Sequence, residues 1–443
     1  MVAMVADPLR DLARRHGPRR AVSDRTAGFR ATWFDLDDLS HTWARRFESL
    51  GLRPGHRGAV MEPAGVRFAA LLHACLRSGA AIVPVSPRWP AAELERVLAD
   101  CRPLLLVADG EVARRPEPAL GEPEDACVLY TSGTTGPPKG VRLTLANHVA
   151  SARGCQEQLG TGEHDRWLAL LAPHHVGGVA MFLRAAICNQ PLVTLARFDE
   201  AAALEAMDAD RPTLLSVAPT MLARLVEAGG GEQLRRLRAI LVGGAPAGAE
   251  QVRRWAALGI PVCPTYGMTE TCSQVTMVPP GRAAELAGTA GTVCPHARIE
   301  IEDGEIVVTG PAVSPGYVNR AITPAPGDGR FRTGDLGRLD DGVLTVLGRR
   351  DDTIITGGEN VRPEEVEAVL RAHPCVADAA VAGRPHELWG EIVAAWVVAE
   401  STTEADLDRW CRERLPAFKV PRRWTFLDRL PRSEGGKVER KLL

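Results

Sequence analysis

The stretch Tyr130–Val141, YTSGTTGPPKGV, packs three glycines, four Ser/Thr hydroxyls and one lysine into twelve positions. Such a run can hold phosphate. Glycines let the backbone come close, successive N–H groups and hydroxyls donate to the oxygens, and lysine adds charge. It is not a Walker loop, which needs Gly-Lys-Ser/Thr; here Pro138 precedes Lys139 and Gly140 follows. The bland alternative is a polar surface loop. A second stretch poses the opposite problem. In His174–Ile187, HHVGGVAMFLRAAI, Arg184 stands in an otherwise apolar run. A helix that is apolar all round is buried, and a buried guanidinium needs a partner. That partner is an internal carboxylate, a ligand, or water reached by snorkelling.

Further candidates follow in chain order: GGAPAG (Gly243–Gly248), TYGMTET (Thr265–Thr271), FRTGDLG (Phe331–Gly337), GRRDD (Gly348–Asp352), GGENVRPEEVE and PRSEGGKVERK (Pro431–Lys441). Taken singly, each has an ordinary reading. Tyr266 suits a core aromatic, Asp335 a turn residue after Gly334, and Glu270 and Lys437 solvated side chains. Taken together, and with the phosphate-loop stretch, they resemble the adenylate-forming superfamily in order and spacing. That superfamily holds acyl- and aryl-CoA ligases, luciferase and peptide-synthetase adenylation domains. The resemblance runs from about residue 30 to the C-terminus.

What the resemblance implies is a two-step ligase using ATP, magnesium and coenzyme A. A carboxylate attacks the α-phosphorus of ATP, and a thiol then displaces AMP. An anion must approach a polyanion, so charge neutralisation is the main catalytic task. The implied catalytic set is Lys437, Glu270, Lys139 and Thr131, with Glu270 holding magnesium through a hard oxygen. The implied nucleotide contacts are Ser132, Gly133, Thr134 and Thr135, with Ser132, Thr134, Thr135 and Lys139 on the β- and γ-phosphates, and Gly243, Gly244, Ala245 and Pro246. Thr265, Tyr266, Gly267, Met268 and Thr269 follow, with Tyr266 against the adenine; Asp335, helped by Arg349, takes the ribose hydroxyls, and Gly358 completes the set. Asp351 matches the hinge about which a small C-terminal domain turns, withdrawing Lys437 and presenting the Gly358 region to the thiol.

The acid is set by other residues. His175 matches a pocket histidine in a pattern usually written Phe-His-x-x-Gly, with His174 here in place of the aromatic. Ser216, Gly243 and Gly267 fall in the implied pocket. Within the superfamily, SVAPTMLARLVE, TYGMTETCSQV and IITGGENVRPEEVE are similar to the o-succinylbenzoate–CoA ligase group of menaquinone biosynthesis, which also carries an arginine nine residues after its histidine, as Arg184 is here. On that resemblance Arg184 faces the spare carboxylate of a dicarboxylic acid, for which a guanidinium offers a bidentate fork. The alternatives are a ligase for another aryl or medium-chain acid, a stand-alone adenylation enzyme loading a carrier protein, and a non-catalytic nucleotide-binding protein.

These residues need a scaffold. With 443 residues, 45% hydrophobic and 24% charged, the chain is long enough for two or more cores. Short apolar runs at Arg57–Met61, Ala80–Val85, Leu104–Val107, Val128–Tyr130, Leu214–Val217 and Ala239–Val242 read as buried strands. They alternate with helical patterns at Leu36–Leu50, Gly65–Ser78 and Ala91–Asp100. Asp35 or Asp37 should lie near the start of the first helix, and Glu111–Asp125 should be a surface connector. The alternation predicts layered α/β with a largely parallel sheet. Short strands at Ile299–Ile301, Glu305–Val308 and Val343–Val346 predict a small β-rich subdomain. A small α+β C-terminal domain follows, with helices Pro363–Arg371 and Glu404–Leu415 and strands Ala377–Val381 and Ile392–Val398. The expected domains are 1–349 and 350–443.

A net charge of −2 gives no global case for nucleic acid. From Arg409 to Leu443, eleven basic residues face four acidic ones, a solvated face or a site for phosphates. Ten cysteines without CxxC pairs suit a reducing compartment. No signal-peptide core is evident, and no uncharged stretch reaches the ~18–20 residues of a membrane span. The expectation is a cytoplasmic enzyme whose partners are a small carboxylic acid, ATP and coenzyme A; a homo-oligomer stays open.

Overall fold

The computed structural model describes residues 7–131, 139–318, 329–357, 359–432, 436 and 438–443. Contacts divide the chain into two units. The first runs to Arg298 and includes Val308–Phe331; the second is Ile299–Val307 with Arg332–Leu443.

The first unit is built on two sheets. In one, Trp167–Ala169, Leu192–Thr194, Leu214–Val217, Ala239–Val242 and Val262–Met268 run parallel, and Ser273–Met277 then adds antiparallel to the last. The other orders Gly316–Tyr317, Lys139–Thr144, Asp125–Thr131, Ala81–Pro84, Arg57–Met61, Leu105–Ala108 and Glu111–Arg114. A continuous core joins both sheets to helices Trp33–Ser49, Val66–Arg77, Leu145–Leu159 and Val176–Cys188. Phe68 and Phe182 meet edge-on at its centre, their rings 4.9 Å apart. The expected layered α/β architecture is therefore the one observed.

Two details differ from expectation. The first long helix is capped by Thr32, whose side chain accepts from the Asp35 amide while Asp35 caps back. Asp35 lies near the helix start as expected and there closes a capping box with Thr32, and the helix begins at Trp33, three residues ahead of the expected first residue Leu36. The connector after Leu105–Ala108 begins with an edge strand, Glu111–Arg114, paired antiparallel to it across the Asp109–Gly110 turn. Both turn residues have positive φ, which supplies the tight reversal.

In the second unit, Arg298–Glu302, Glu305–Thr309, Arg330–Asp340 and Val343–Arg349 lie side by side. Because these strands pair among themselves, the contacts group the β-rich segment with the C-terminal part, and the expected boundary after 349 falls inside this unit. A separate sheet follows: Glu359–Val361, Ile354–Thr356, Gly390–Ala399 and Val376–His386, with Arg423–Phe426 parallel to Gly390–Ala399. Helices Pro363–Arg371 and Glu404–Arg412 contribute Val366, Leu370 and Leu407 to its core.

All ten cysteines are free thiols, nine of them buried and Cys375 half-buried. Among the described residues no helix is long and apolar enough to cross a membrane.

Candidate active site

The phosphate-loop stretch hangs from a hairpin. Asp125–Thr131 and Lys139–Thr144 pair antiparallel, with Thr131 opposite Lys139 and Tyr130 opposite Gly140. Ser132, Gly133, Thr134 and Thr135 lie outside the described residues. The hairpin base is fixed by a buried bidentate pair, Arg142 to Asp125 at 2.9–3.1 Å. Tyr130 donates to Asp100 at 2.6 Å. Gly140 lies so close to the Tyr130 ring that a Cβ would come within 2.8 Å of it.

Glu270 sits in the short turn Thr269–Thr271, directly after Val262–Met268. The Met268 amide donates to Thr271 Oγ1 at 3.0 Å and holds the turn. The Glu270 carboxylate accepts from the Tyr317 hydroxyl at 2.9 Å, and Lys139 Nζ lies 5.8 Å from the centroid of the same tyrosine ring. Lys139 and Glu270, expected to act together, are thus gathered around Tyr317. Tyr317 belongs to none of the sequence motifs; its only signal there is a Gly-Tyr pair between Pro315 and Val318. Among the described residues no three His, Cys, Asp or Glu side chains gather as a metal cluster. One carboxylate suits a magnesium ion that takes its other oxygens from phosphates and water.

Gly243–Pro246 follows strand Ala239–Val242, and Thr265–Met268 forms the carboxyl half of the neighbouring strand beyond the last parallel pair, Val242 with Pro264. Ligands of open α/β sheets bind at such ends. The approach of the segments demands glycine. A Cβ on Gly243 would fall 2.4 Å from Thr265 Oγ1, and one on Gly267 2.0 Å from the Ser273 carbonyl oxygen. Ser216 pairs with Leu241 on the next strand over. The structure therefore brings the 216, 243–246 and 265–270 segments to one edge.

Helix Val176–Cys188 starts with His175 in the N-cap position. His174 packs edge-on to Trp89 at 5.8 Å and against His175 at 4.4 Å. Burial, reinforced by Arg88, pushes the His174 pKa down to about 4, so near neutral pH it packs as an uncharged aromatic ring in the place where the resembled pattern has one. Arg184 is 3% exposed. Its Nη2 donates to Gln274 Oε1 at 3.5 Å, and its guanidinium lies 5.3 Å from the Trp167 ring centroid. Among the described residues no carboxylate lies within ion-pair distance of Arg184, and neither Arg184 Nε nor Gln274 Nε2 has a hydrogen-bond partner. The surrounding histidines are neutral. Burial and then the nearby Arg184 push His148 down to about 3. Burial, with Arg184 adding to it, takes His296 to about 4, against an opposing hydrogen bond to the Gln274 backbone. His148 is itself flanked by two thiols, Cys127 at 3.2 Å and Cys272 at 3.3 Å.

In the second unit Asp335 and Arg349 face each other across paired strands. Arg349 donates to Asp335 at 3.0 Å, and the Asp335 amide to Thr333 Oγ1 at 3.0 Å. Gly334 has φ +73°, and its amide donates to Glu305 at 2.9 Å. Asp351 lies exposed in the turn between Val343–Arg349 and Ile354–Thr356. Its neighbour Asp352 meets Arg440 at 3.4 Å. Gly358 and Lys437 lie outside the described residues.

The family profile "AMP-binding enzyme" matches residues 9–122 and 108–318, and "AMP-binding enzyme C-terminal domain" matches 365–437. A 2-succinylbenzoate–CoA ligase of Bacillus licheniformis is 37% identical, covering 93% of this chain and 94% of the relative. One from Geobacillus kaustophilus is 38% identical over 96% and 94%. The o-succinylbenzoate coenzyme A synthetase of Bacillus subtilis, solved with its acyl-adenylate intermediate, superposes with a TM-score of 0.88 at 34% identity, covering 98% of this chain and 97% of that one. The same enzyme solved with ATP and magnesium gives 0.87 at 32% identity, covering 98% of each chain.

Proposed function

The chain belongs to the AMP-binding enzyme family, and on that premise we propose that it is an AMP-forming ligase that joins 2-succinylbenzoate to coenzyme A, a step of menaquinone biosynthesis. In the first half an oxygen of the succinyl carboxylate bonds to the α-phosphorus of ATP and pyrophosphate leaves. In the second, the coenzyme A sulfur bonds to the acyl carbon, the acyl–phosphate C–O bond breaks, and AMP leaves as the thiol proton passes to solvent.

The chain's own residues bind, orient and neutralise. Ser132, Thr134 and Thr135 hold the β- and γ-phosphates, and Lys139 offsets their charge. Glu270 would hold magnesium, which when bound screens the triphosphate from the incoming carboxylate. Gly243–Pro246 and Tyr266 flank the base. Asp335, oriented by Arg349, accepts from the ribose hydroxyls. Residues 350–443 act as a lid turning about Asp351, with Lys437 serving the first half and the Gly358 region the second. Because ATP and coenzyme A are cytoplasmic pools, the reaction belongs in the cytoplasm.

The observation that carries the choice of acid is Arg184. A guanidinium this deeply buried, with no carboxylate beside it among the described residues, leaves a large desolvation cost uncompensated. The ring carboxylate of 2-succinylbenzoate offsets it, and the orphaned Arg184 Nε and Gln274 Nε2 are two donors ready for its oxygens. The test is pyrophosphate release across a panel of aromatic, dicarboxylic and medium-chain acids, with coenzyme A and a phosphopantetheinyl carrier as rival acceptors. 2-Succinylbenzoate with coenzyme A should give the highest kcat/KM. A higher value for an acid without a second carboxylate, or thioester formed only on the carrier, would refute the reading.

A further inference from the structure

Tyr317 occupies a place that invites a role. Strand Gly316–Tyr317 pairs antiparallel with the strand leaving the phosphate loop, Tyr317 opposite Val141. Val141 and Lys139 are two residues apart and share a face of that strand. The tyrosine ring is therefore carried diagonally over to Lys139, 5.8 Å from its Nζ. The hydroxyl at the far end of the ring reaches Glu270 Oε1 at 2.9 Å.

The segment that presents Tyr317 is tied down at four points. Asn147 Nδ2 donates to the carbonyls of Pro311 and Val313 at 2.8 and 3.0 Å. Ser314 Oγ donates to the Arg142 carbonyl at 2.7 Å. The Ser314 amide donates to the Glu270 carbonyl at 2.8 Å, and the Val318 amide to the Gly140 carbonyl at 2.8 Å. One short brace thus locks the turn carrying Glu270 to the strand carrying Lys139. Tyr317, 4% exposed, is its tip.

A lysine and a glutamate that serve one triphosphate from two sides have an unproductive alternative. In the empty site they can pair with each other, and each must then be freed before nucleotide and metal bind. Among the described residues no ion pair joins Lys139 and Glu270; the Tyr317 ring lies beside one and its hydroxyl holds the other. We propose that Tyr317 is a positioning residue that holds Glu270 in its metal-binding orientation and keeps it from pairing with Lys139. A phenol does this without adding charge. It donates one hydrogen bond to one carboxylate oxygen and leaves the second oxygen available. The inference rests on Glu270 being the metal carboxylate.

The test uses the full-length enzyme without acid or coenzyme A and titrates Mn2+·ATP, and separately ATP in EDTA, by calorimetry. Tyr317→Phe keeps the ring and loses the hydroxyl. It should weaken Mn2+·ATP about tenfold, the scale of one hydrogen bond to a charged group, leave metal-free ATP unchanged, and raise KM for ATP without lowering kcat by more than about twofold. Tyr317→Leu should also weaken metal-free ATP, because Lys139 is then free to pair with Glu270. Equal weakening of ATP with and without metal in Tyr317→Phe would make the residue merely structural and overturn the proposal, as would unchanged Mn2+·ATP affinity. Glu270→Gln in the same titration separates the two levels. If it leaves Mn2+·ATP affinity intact, the assignment of Glu270 falls and this inference with it. If it weakens Mn2+·ATP while Tyr317→Phe does not, only the inference falls.

Discussion

Two buried arginines in the first unit had the same problem and met it differently. Arg142, 8% exposed, faces Asp125 across a strand pair and makes three hydrogen bonds to it. Arg184, 3% exposed, has a glutamine oxygen at 3.5 Å, an indole face and neutral histidines. The first is closed by its own carboxylate, at the base of the hairpin Asp125–Thr131 and Lys139–Thr144. The second has no carboxylate beside it among the described residues, and on the proposed function the ring carboxylate of the acid supplies one. A buried ion pair fixes structure; a buried lone cation specifies a ligand.

The contrast is most exposed to test at Asp125. Asp125→Ala strands Arg142 without its counter-charge and should destabilise the enzyme by about 3–5 kcal/mol in urea unfolding. A loss below about 1 kcal/mol would mean that the two arginines are not different in kind. Arg184→Met should cut kcat/KM for 2-succinylbenzoate about 100-fold, yet change it less than about threefold for 4-oxo-4-phenylbutyrate, which lacks the ring carboxylate; thermal unfolding should be unchanged or improved. A uniform loss with both acids would turn Arg184 into a packing residue. Gln274→Glu installs an internal carboxylate beside Arg184 and so remakes it in the image of Arg142. Stability should rise while KM for 2-succinylbenzoate climbs about tenfold.

The smallest effect is a titration. His148, His174 and His296 have native pKa values of about 3, 4 and 4, below the ordinary 6.5. Above pH 6.5 both folded and unfolded chains hold them neutral, and they confer no pH dependence. As pH falls toward 4, the unfolded chain takes up protons that the folded one refuses. Stability then declines by about 1.4 kcal/mol per pH unit for each histidine. Replacing His148 with Gln should remove one such increment from the slope of unfolding free energy against pH. An unchanged slope would show that His148 is charged beside Arg184, and the neutral surroundings claimed for that arginine would be wrong.

Much of this was readable in the chain. Apolar runs located the strands Arg57–Met61, Leu214–Val217 and Ala239–Val242 to the residue, because fully buried parallel strands are continuous hydrophobic runs with sharp ends. Of the motif residues, 243–246 directly follow strand Ala239–Val242 and Arg349 ends strand Val343–Arg349, whereas 265–268 and Asp335 lie within strands. What escaped depends on pairs distant in sequence. Tyr317 reaches Glu270 across 47 positions, and the thiol–imidazole–thiol stack of Cys127, His148 and Cys272 spans a longer interval. Periodicity reports which face is buried, not what is buried against it. The same limit applied to Arg184, whose burial was legible while the absence of an internal carboxylate was not. Thr32 was missed for a local reason: the capping threonine stands three residues ahead of the acid that drew attention.

The distribution of the thiols has a practical side. Nine cysteines are sealed in cores, and Cys375, at the foot of strand Val376–His386 in the C-terminal part of the chain, is the tenth. A maleimide dye applied to the native enzyme should therefore mark one site without any engineered cysteine-free background. That label would ride on residues 350–443, offering a built-in optical reporter for watching, turnover by turnover, whether that part of the chain moves between adenylation and thioester formation.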